Sequence, residues 1–467
     1  MIRIVRRSVL VLMLAYLLAL LTSSNTQESG FYPLALLIAG FIGIGVAYTS
    51  LKSNASLVGP IIMVFLSFVL GVLVRGVWLL NSGTLQSEVS YGFEYNELVS
   101  GVFLALIGFI LFSIGSRSNM TFECNQKNEV VSIRSIRLAL LVGITILIWL
   151  YAVDVLMTKI GLEELSLNSI SDKRKVYDSN GQRYSFGYLR VLLRVPGYLF
   201  IYLVILSSAK QHQRSFLMNI SKILLFLLVI FTGVFTSSRT DIFNVMFVWF
   251  IMRVIYQRLA LRQIIYAGGL VVTLSLVIIS SRGGNAGSGA TAISMLDGLV
   301  GNNNLYGLVK STAVFESIAE KNSYKYGSTL VSWMAAPIPR EIWKDKPIIN
   351  PGLVFRNEVM PIYSINNDGG IPPSFVVELF WNFGVIGLLL SFFWGLYAGR
   401  TFRKLLKSIV DGDVSRIVFL MFFYYTLTFR LSGESFTQLI LFSIESYIIV
   451  KFIDIFNFFR HENIAHN

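Results

Sequence analysis

Apolar runs long enough to cross a bilayer, about 17–25 residues each, recur about twelve times along the chain. They fall near 8–22, 31–49, 58–80, 97–115, 136–157, 188–208, 219–236, 242–259, 263–281, 374–398, 415–431 and 435–458. Each predicts a membrane helix. The runs 219–236 and 242–259 are joined only by the short polar stretch Thr236 to Asp241, which predicts a tight helical hairpin. One polar insert, Ser281 to Pro373, interrupts the series. It begins with Leu305, Leu308, Val309, Phe315, Ile318 and Ala319 at near-helical spacing, so a helix is expected there. That helix should pack on the membrane surface or on the bundle, with plain lipid contact as the alternative. The pattern divides the chain into nine spans over 1–281, a large outer loop with short surface helices over 282–373, and three spans with a tail over 374–467. The expected fold class is an all-α polytopic membrane protein.

Composition strengthens this reading. Hydrophobic residues make up 54% of the chain and charged residues only 14%, against roughly 25% charged in a soluble domain. Such a chain cannot be solvated as a globule, so the lipid bilayer is its first partner. The net charge of +13 is explained by cationic loops beside membrane helices. No basic face with interleaved aromatics occurs outside the spans, so nucleic acid is not an expected partner. The single cysteine, Cys124, excludes intrachain disulfides and thiolate metal clusters. Met1 to Leu21 has the basic flank and short apolar run of a signal peptide but no clear small-x-small cleavage site, and reads as a retained signal anchor.

Lysine and arginine set the orientation. With the N-terminus inside, the inner loops are rich in both, whereas the short outer loops at 23–30 and 82–96 hold neither. Both termini are then inside, the insert faces outward, and Cys124 lies in an inner loop.

Charge inside a membrane is expensive, at least about 2.5–3.5 kcal/mol for a cation at the centre. Arg75, Arg194, Arg239, Arg282 and Arg430 all stand at the outer ends of spans. Snorkelling explains any one of them, but snorkelling cations should favour the inner face. Grouped outward, they suit a diphosphate, which guanidinium groups bind through paired hydrogen bonds. The insert adds Arg340, Lys344 and Lys346 in the run Ala336 to Pro347, where Pro337, Pro339, Trp343 and Pro347 stiffen what would otherwise be a solvated loop. Gly283 to Gly289 reads as a hinge, because no strand-to-helix pattern makes it a phosphate cradle. Glu378 lies about one turn inside its span, and an intramembrane carboxylate is a functional candidate. Pairing with an outer arginine is its structural alternative. Glu434, beside Arg430, is a second carboxylate; Glu445 and Gln438 suit bonds between helices.

Other chemistries drop out. None of His212, His461 and His466 lies outside, which excludes a serine–histidine pair or a histidine-bound zinc on that face. Asp411-Gly412-Asp413 sits in a short inner loop and reads as a solvated turn. No phosphate-binding loop or dinucleotide fingerprint occurs. No inverted repeat is visible, which counts against a secondary transporter.

With the layout of spans, Ser238-Arg239-Thr240 in a short loop, the run Pro337 to Pro347 and the stretch Glu378 to Gly387, the chain resembles the bacterial O-antigen polymerases, or oligosaccharide repeat unit polymerases. The resemblance covers the whole chain by layout, and by motif mainly 236–241 and 327–387. It implies a GT-C-like helical glycosyltransferase that needs neither metal nor other cofactor and acts on the periplasmic side of the bacterial inner membrane. Its substrates would be undecaprenyl-diphosphate-linked oligosaccharides, with a chain-length regulator as a further partner. On this reading Glu378 is the base, with Arg239 and Arg340 as its catalytic companions. Arg282, Lys344, Lys346, Arg430, Arg194 and Arg75 bind substrate. The related ligases generally place a histidine in their large outer loop, which is absent here, so a polymerase is preferred to a ligase. A flippase or transporter of lipid-linked sugars is the remaining alternative.

Overall fold

The computed structural model describes residues 14, 16–18, 20, 30–51, 54–82, 93–117, 135–160, 187–209, 216–235, 239–256, 306–336, 338, 342–343, 348–360 and 370–458. Among the described residues every regular element is helical. Seven helices among the described residues are long and apolar enough to cross a membrane, against about twelve expected. Most of the expected span at 8–22 and all of that at 263–281 lie outside the described residues.

The chain divides into two compact units. The first draws on Met1–Phe122, Ala292–Arg403 and Tyr424–Phe442. It contains α1 (Tyr32–Ser50), α2 (Pro60–Phe68), a π-helical stretch Val69–Val74, α3 (Arg75–Ser82) and α4 (Tyr95–Ser116). Pro60 at the first turn pre-sets the helical φ of α2. Reciprocal side-chain bonds between Glu94 and Glu97 and the backbone fix the start of α4.

From the polar insert, α9 (Leu308–Lys321), α10 (Ser328–Val331) and α11 (Pro351–Val359) also belong to this unit. The α9 helix packs chiefly against α4, so of the two expected positions it takes the bundle. Gly101 of α4 makes this approach feasible: a Cβ built there would stand 2.1 Å from Thr312 Oγ1 and 2.8 Å from the Leu308 carbonyl. Tyr306 pins the start of α9, its backbone N–H donating to Ser67 Oγ (2.9 Å) and its hydroxyl to the Ala105 carbonyl (3.0 Å).

The second unit draws on Glu123–Thr291, Lys404–Phe423 and Ser443–Asn467. Its helices α5 (Ser135–Ile160), α6 (Gly187–Ala209), α7 (Phe216–Phe235) and α8 (Arg239–Ile255) pack pairwise. Trp149, Ala152, Val153, Leu189 and Leu193 form a core between α5 and α6. The indole of Trp149 donates to Thr232 Oγ1 at 2.8 Å, which satisfies both polar groups inside apolar surroundings. The hairpin of α7 and α8 stands where the sequence placed it. At 17 residues, α8 is shorter than the spanning helices.

Three more helices run through the C-terminal third: α12 (Phe375–Asp411), α13 (Val414–Tyr425, extended by a π-helical stretch Thr426–Arg430) and α14 (Phe436–Phe458). The sequence reading ended the first of these near 398. The helix instead continues through Arg400, Arg403, Lys404 and Lys407, because long cationic side chains reach water without the backbone stopping. It breaks elsewhere, at Gly384 (φ 59°, ψ −138°), a backbone conformation that side-chain-bearing residues rarely adopt.

Candidate functional site

The turn between α13 and α14 gathers the polar groups of the first unit. Arg430 ends the π-helical stretch, buried, with its guanidinium carbon 3.5 Å from the Phe442 ring centroid. Its Nε and Nη1 make no hydrogen bond among the described residues. Glu434 follows one turn later. Burial pushes its carboxyl upward, against the opposing pull of Arg430 and then Lys310.

Lys310 was missed by the sequence reading. It lies in α9, wholly enclosed, and its ammonium donates to the Pro372 carbonyl (2.9 Å) and the Gly433 carbonyl (3.0 Å). Burial pushes it down to about 7, Glu434 pulls upward and Arg75 pushes down further. Arg75, the first residue of α3, is itself buried. The four side chains thus form an electrostatic series, Arg75 to Lys310 to Glu434 to Arg430. A lysine with no carboxylate three or four positions away, in Val309-Lys310-Ser311-Thr312-Ala313-Val314, was the available signal.

Glu378 approaches the same turn from α12. The backbone N–H of Phe375 donates to the Leu431 carbonyl at 3.1 Å, and Ser374, in the left-handed region at φ 56°, starts the helix. One turn in, Glu378 Oε2 accepts the Phe436 N–H at 2.6 Å and so caps α14. Glu378 has no exposed surface, and its Oε1 has no hydrogen bond of good geometry, although the Thr329 side chain acts on the carboxyl. Asn382 is a second residue the sequence did not single out. Its amide donates to the Glu378 carbonyl and to Thr329 Oγ1, both at 2.7 Å, while its Oδ1 accepts the Gly327 N–H at 2.8 Å. It clamps the insert to α12 across 53 positions in sequence.

Next to this clamp the insert lines an open cavity of about 650 Å³. Its walls are mainly apolar, from Val331, Met334, Ala335, Trp343 and Val354, with Lys325, Asn357, Glu358, Ser328, Thr329 and Ser332 as polar points. Ser332 Oγ bonds with Thr437 Oγ1 at 2.9 Å, tying the cavity wall to the start of α14.

The other sequence candidates are distributed as follows. Arg194 lies in the second unit, where its Nε donates to Asp241 Oδ1 (2.9 Å) and its Nη1 to Glu445 Oε2 (2.8 Å). Its charge is therefore already matched by two carboxylates, and Glu445 bonds between helices as expected. Arg239 opens α8 in that same unit, with its side chain outside the described residues. Arg282, Arg340, Lys344 and Lys346 also lie outside the described residues. The structure thus brings Arg75, Glu378 and Arg430 into one unit and adds Lys310 and Glu434 to them.

Fold and site define a polytopic helical membrane protein with a buried cationic cluster at one helix turn. No family model matches the chain, and no curated protein or solved structure is found to be similar to it.

Proposed function

We propose that the chain is a GT-C-like, twelve-span polymerase of undecaprenyl-diphosphate-linked oligosaccharide repeat units, with both termini cytoplasmic and its site at the periplasmic face of the bacterial inner membrane. The observation that carries this reading is the buried Arg430 at the α13–α14 turn, whose Nε and Nη1 make no hydrogen bond among the described residues. Buried positive charge calls for an anion. A diphosphate headgroup supplies two phosphates that guanidinium and ammonium groups bind well.

In the proposed step the acceptor hydroxyl attacks the anomeric carbon of the lipid-linked glycan. The bond to the diphosphate oxygen breaks, the hydroxyl proton passes to a carboxylate, and polyprenyl diphosphate leaves. Arg75, Lys310 and Arg430 neutralise the charge that develops on the leaving group, a contribution made in advance by fixed cations. Arg239, Arg282, Arg340, Lys344 and Lys346 are proposed as further contacts to the glycan diphosphate. Arg194, matched by Asp241 and Glu445, is assigned to holding its own unit together. Glu378 remains the proposed base. Its enclosure means that the Phe436 cap must release before the acceptor hydroxyl reaches it.

Deleting the gene in a strain that makes the glycan tests the reading. A polymerase deletion leaves lipopolysaccharide capped with a single repeat unit. A ligase deletion leaves none, and stranded substrate on the inner leaflet indicates a flippase; either outcome overturns the proposal.

A further inference from the structure

The polar insert carries an apolar surface that its own fold does not cover. Tyr326 and Ile342 are each 78% exposed and Met334 is 61% exposed, with Val331, Ile338 and Trp343 exposed beside them in the chain. None belongs to a spanning helix. Val331, Met334 and Trp343 border one cleft, and an apolar patch of this kind is rare on a surface bathed by water and marks an interaction site.

Its position says which. The backbone N–H groups of Lys325 and Tyr326 donate to the carbonyls of Trp381 and Asn382 (3.1 and 3.2 Å), so the insert lies beside the last turn of α12 before the Gly384 break. A Cβ at Gly327 would touch the Phe383 ring at 3.3 Å. Beyond the break, Val385, Ile386, Leu389, Phe393 and Tyr397 are exposed along one stripe, which Arg400 and Arg403 terminate. From Val385 to Arg403 the helix rises about 27 Å, close to the roughly 30 Å hydrocarbon core of a bilayer. The apolar boundary on the Phe375 side of α12 therefore falls beside Phe383 and Gly384, and the exposed residues of the insert begin there. That puts Glu378 beyond the boundary, whereas the sequence placed it about one turn inside. Patch and stripe thus border the same turn of α12, at Phe383 and Gly384. Tyrosine and tryptophan are the residues that favour this depth, with rings in the acyl region and polar atoms among headgroups. A polar margin accompanies them: Lys325 ion-pairs with Glu358 and lies 5.3 Å above the Trp381 ring.

We propose that Tyr326, Val331, Met334, Ile338, Ile342 and Trp343 form an interfacial platform that rests in the bilayer leaflet on the Phe375 side of α12, with phospholipid acyl chains as its occupant. Val331, Met334 and Trp343 also line the 650 Å³ cavity, so lipid covers a wall of that cavity. The inference does not depend on the polymerase reading, since any anion-binding membrane protein with this fold would carry the same platform.

The test uses the full-length protein in phospholipid vesicles and the fluorescence of Trp343, obtained as the difference between wild type and Trp343→Phe. Lipids brominated near the top of the acyl chain should remove most of that component, and lipids brominated at the methyl end should remove little. A Trp343 signal quenched by aqueous acrylamide and untouched by brominated lipid overturns the proposal, because the patch then faces water. Insensitivity to both also overturns it, because protein or a second copy of the chain then covers the patch. Should Trp343→Phe fail to fold, a nitroxide on Ile342→Cys in a Cys124→Ser chain gives the same decision. Greater relaxation by oxygen than by a polar nickel complex supports the platform, and the reverse overturns it.

Discussion

A lysine ammonium enclosed by protein persists only where carbonyls and an acid surround it, and Lys310 has both in Pro372, Gly433 and Glu434. Lys310→Met leaves two buried carbonyls without this donor and should lower stability by about 1–3 kcal/mol, read as thermal unfolding in detergent. The pH dependence has a definite sign. Lys310 falls to about 7 in the folded chain from an ordinary 10.5, so the unfolded chain holds more protons between those values. Wild-type stability should rise with pH across that window, and Lys310→Met should flatten the rise. An anion at the cluster favours the charged amine, so diphosphate binding should tighten as pH falls through about 7. Glu378→Gln keeps an oxygen to accept the Phe436 N–H, so stability should change little while polymer synthesis is lost; retention of full ladders sinks the base assignment. Arg194→Gln strands Asp241 and Glu445 and should cost about 3 kcal/mol, discounted from a fully buried pair for partial exposure. Neutralising both acids as well should restore most of it, which a substrate-binding role alone would not produce. Arg75, Glu378 and Arg430 were legible because polar residues stand out in apolar runs. Lys310 was hidden by polar neighbours in the insert, and Asn382 by the distance in sequence to Thr329, its partner across the clamp.

Among the elements, those that bury or expose one long apolar surface were the most legible, since bilayer thickness fixes their length. Tyr32–Ser50, Tyr95–Ser116 and Phe436–Phe458 all stand within a few residues of the apolar runs that predicted them. What periodicity could not reveal was docking. The pattern of α9 suited the membrane surface as well as the bundle, and the choice rests on Gly101, in a different helix. Gly101→Leu should push α9 off α4 and cost at least about 1–3 kcal/mol as overpacking. Limited proteolysis should then cut within Leu308–Lys321 faster than in wild type, and an unchanged rate would mean that the close approach is not needed. The break at Gly384 was equally hidden, because a glycine inside an apolar run usually continues as helix.

For the whole molecule, the membrane class follows from composition alone, while the assignment to glycan polymerisation rests on site chemistry and on a resemblance of layout. Twelve spans, orientation and substrate all enter as parts of that proposal. Purified protein, reconstituted with synthetic undecaprenyl-diphosphate oligosaccharide, tests it most directly. The expected result is a ladder of products that grows by whole repeat units, forms without added metal or nucleotide sugar, and is lost in Arg430→Gln. Recovery of substrate unchanged from a stably folded preparation, or a ladder undiminished by Arg430→Gln and Lys310→Met, would contradict the claim that this cationic turn holds the diphosphate.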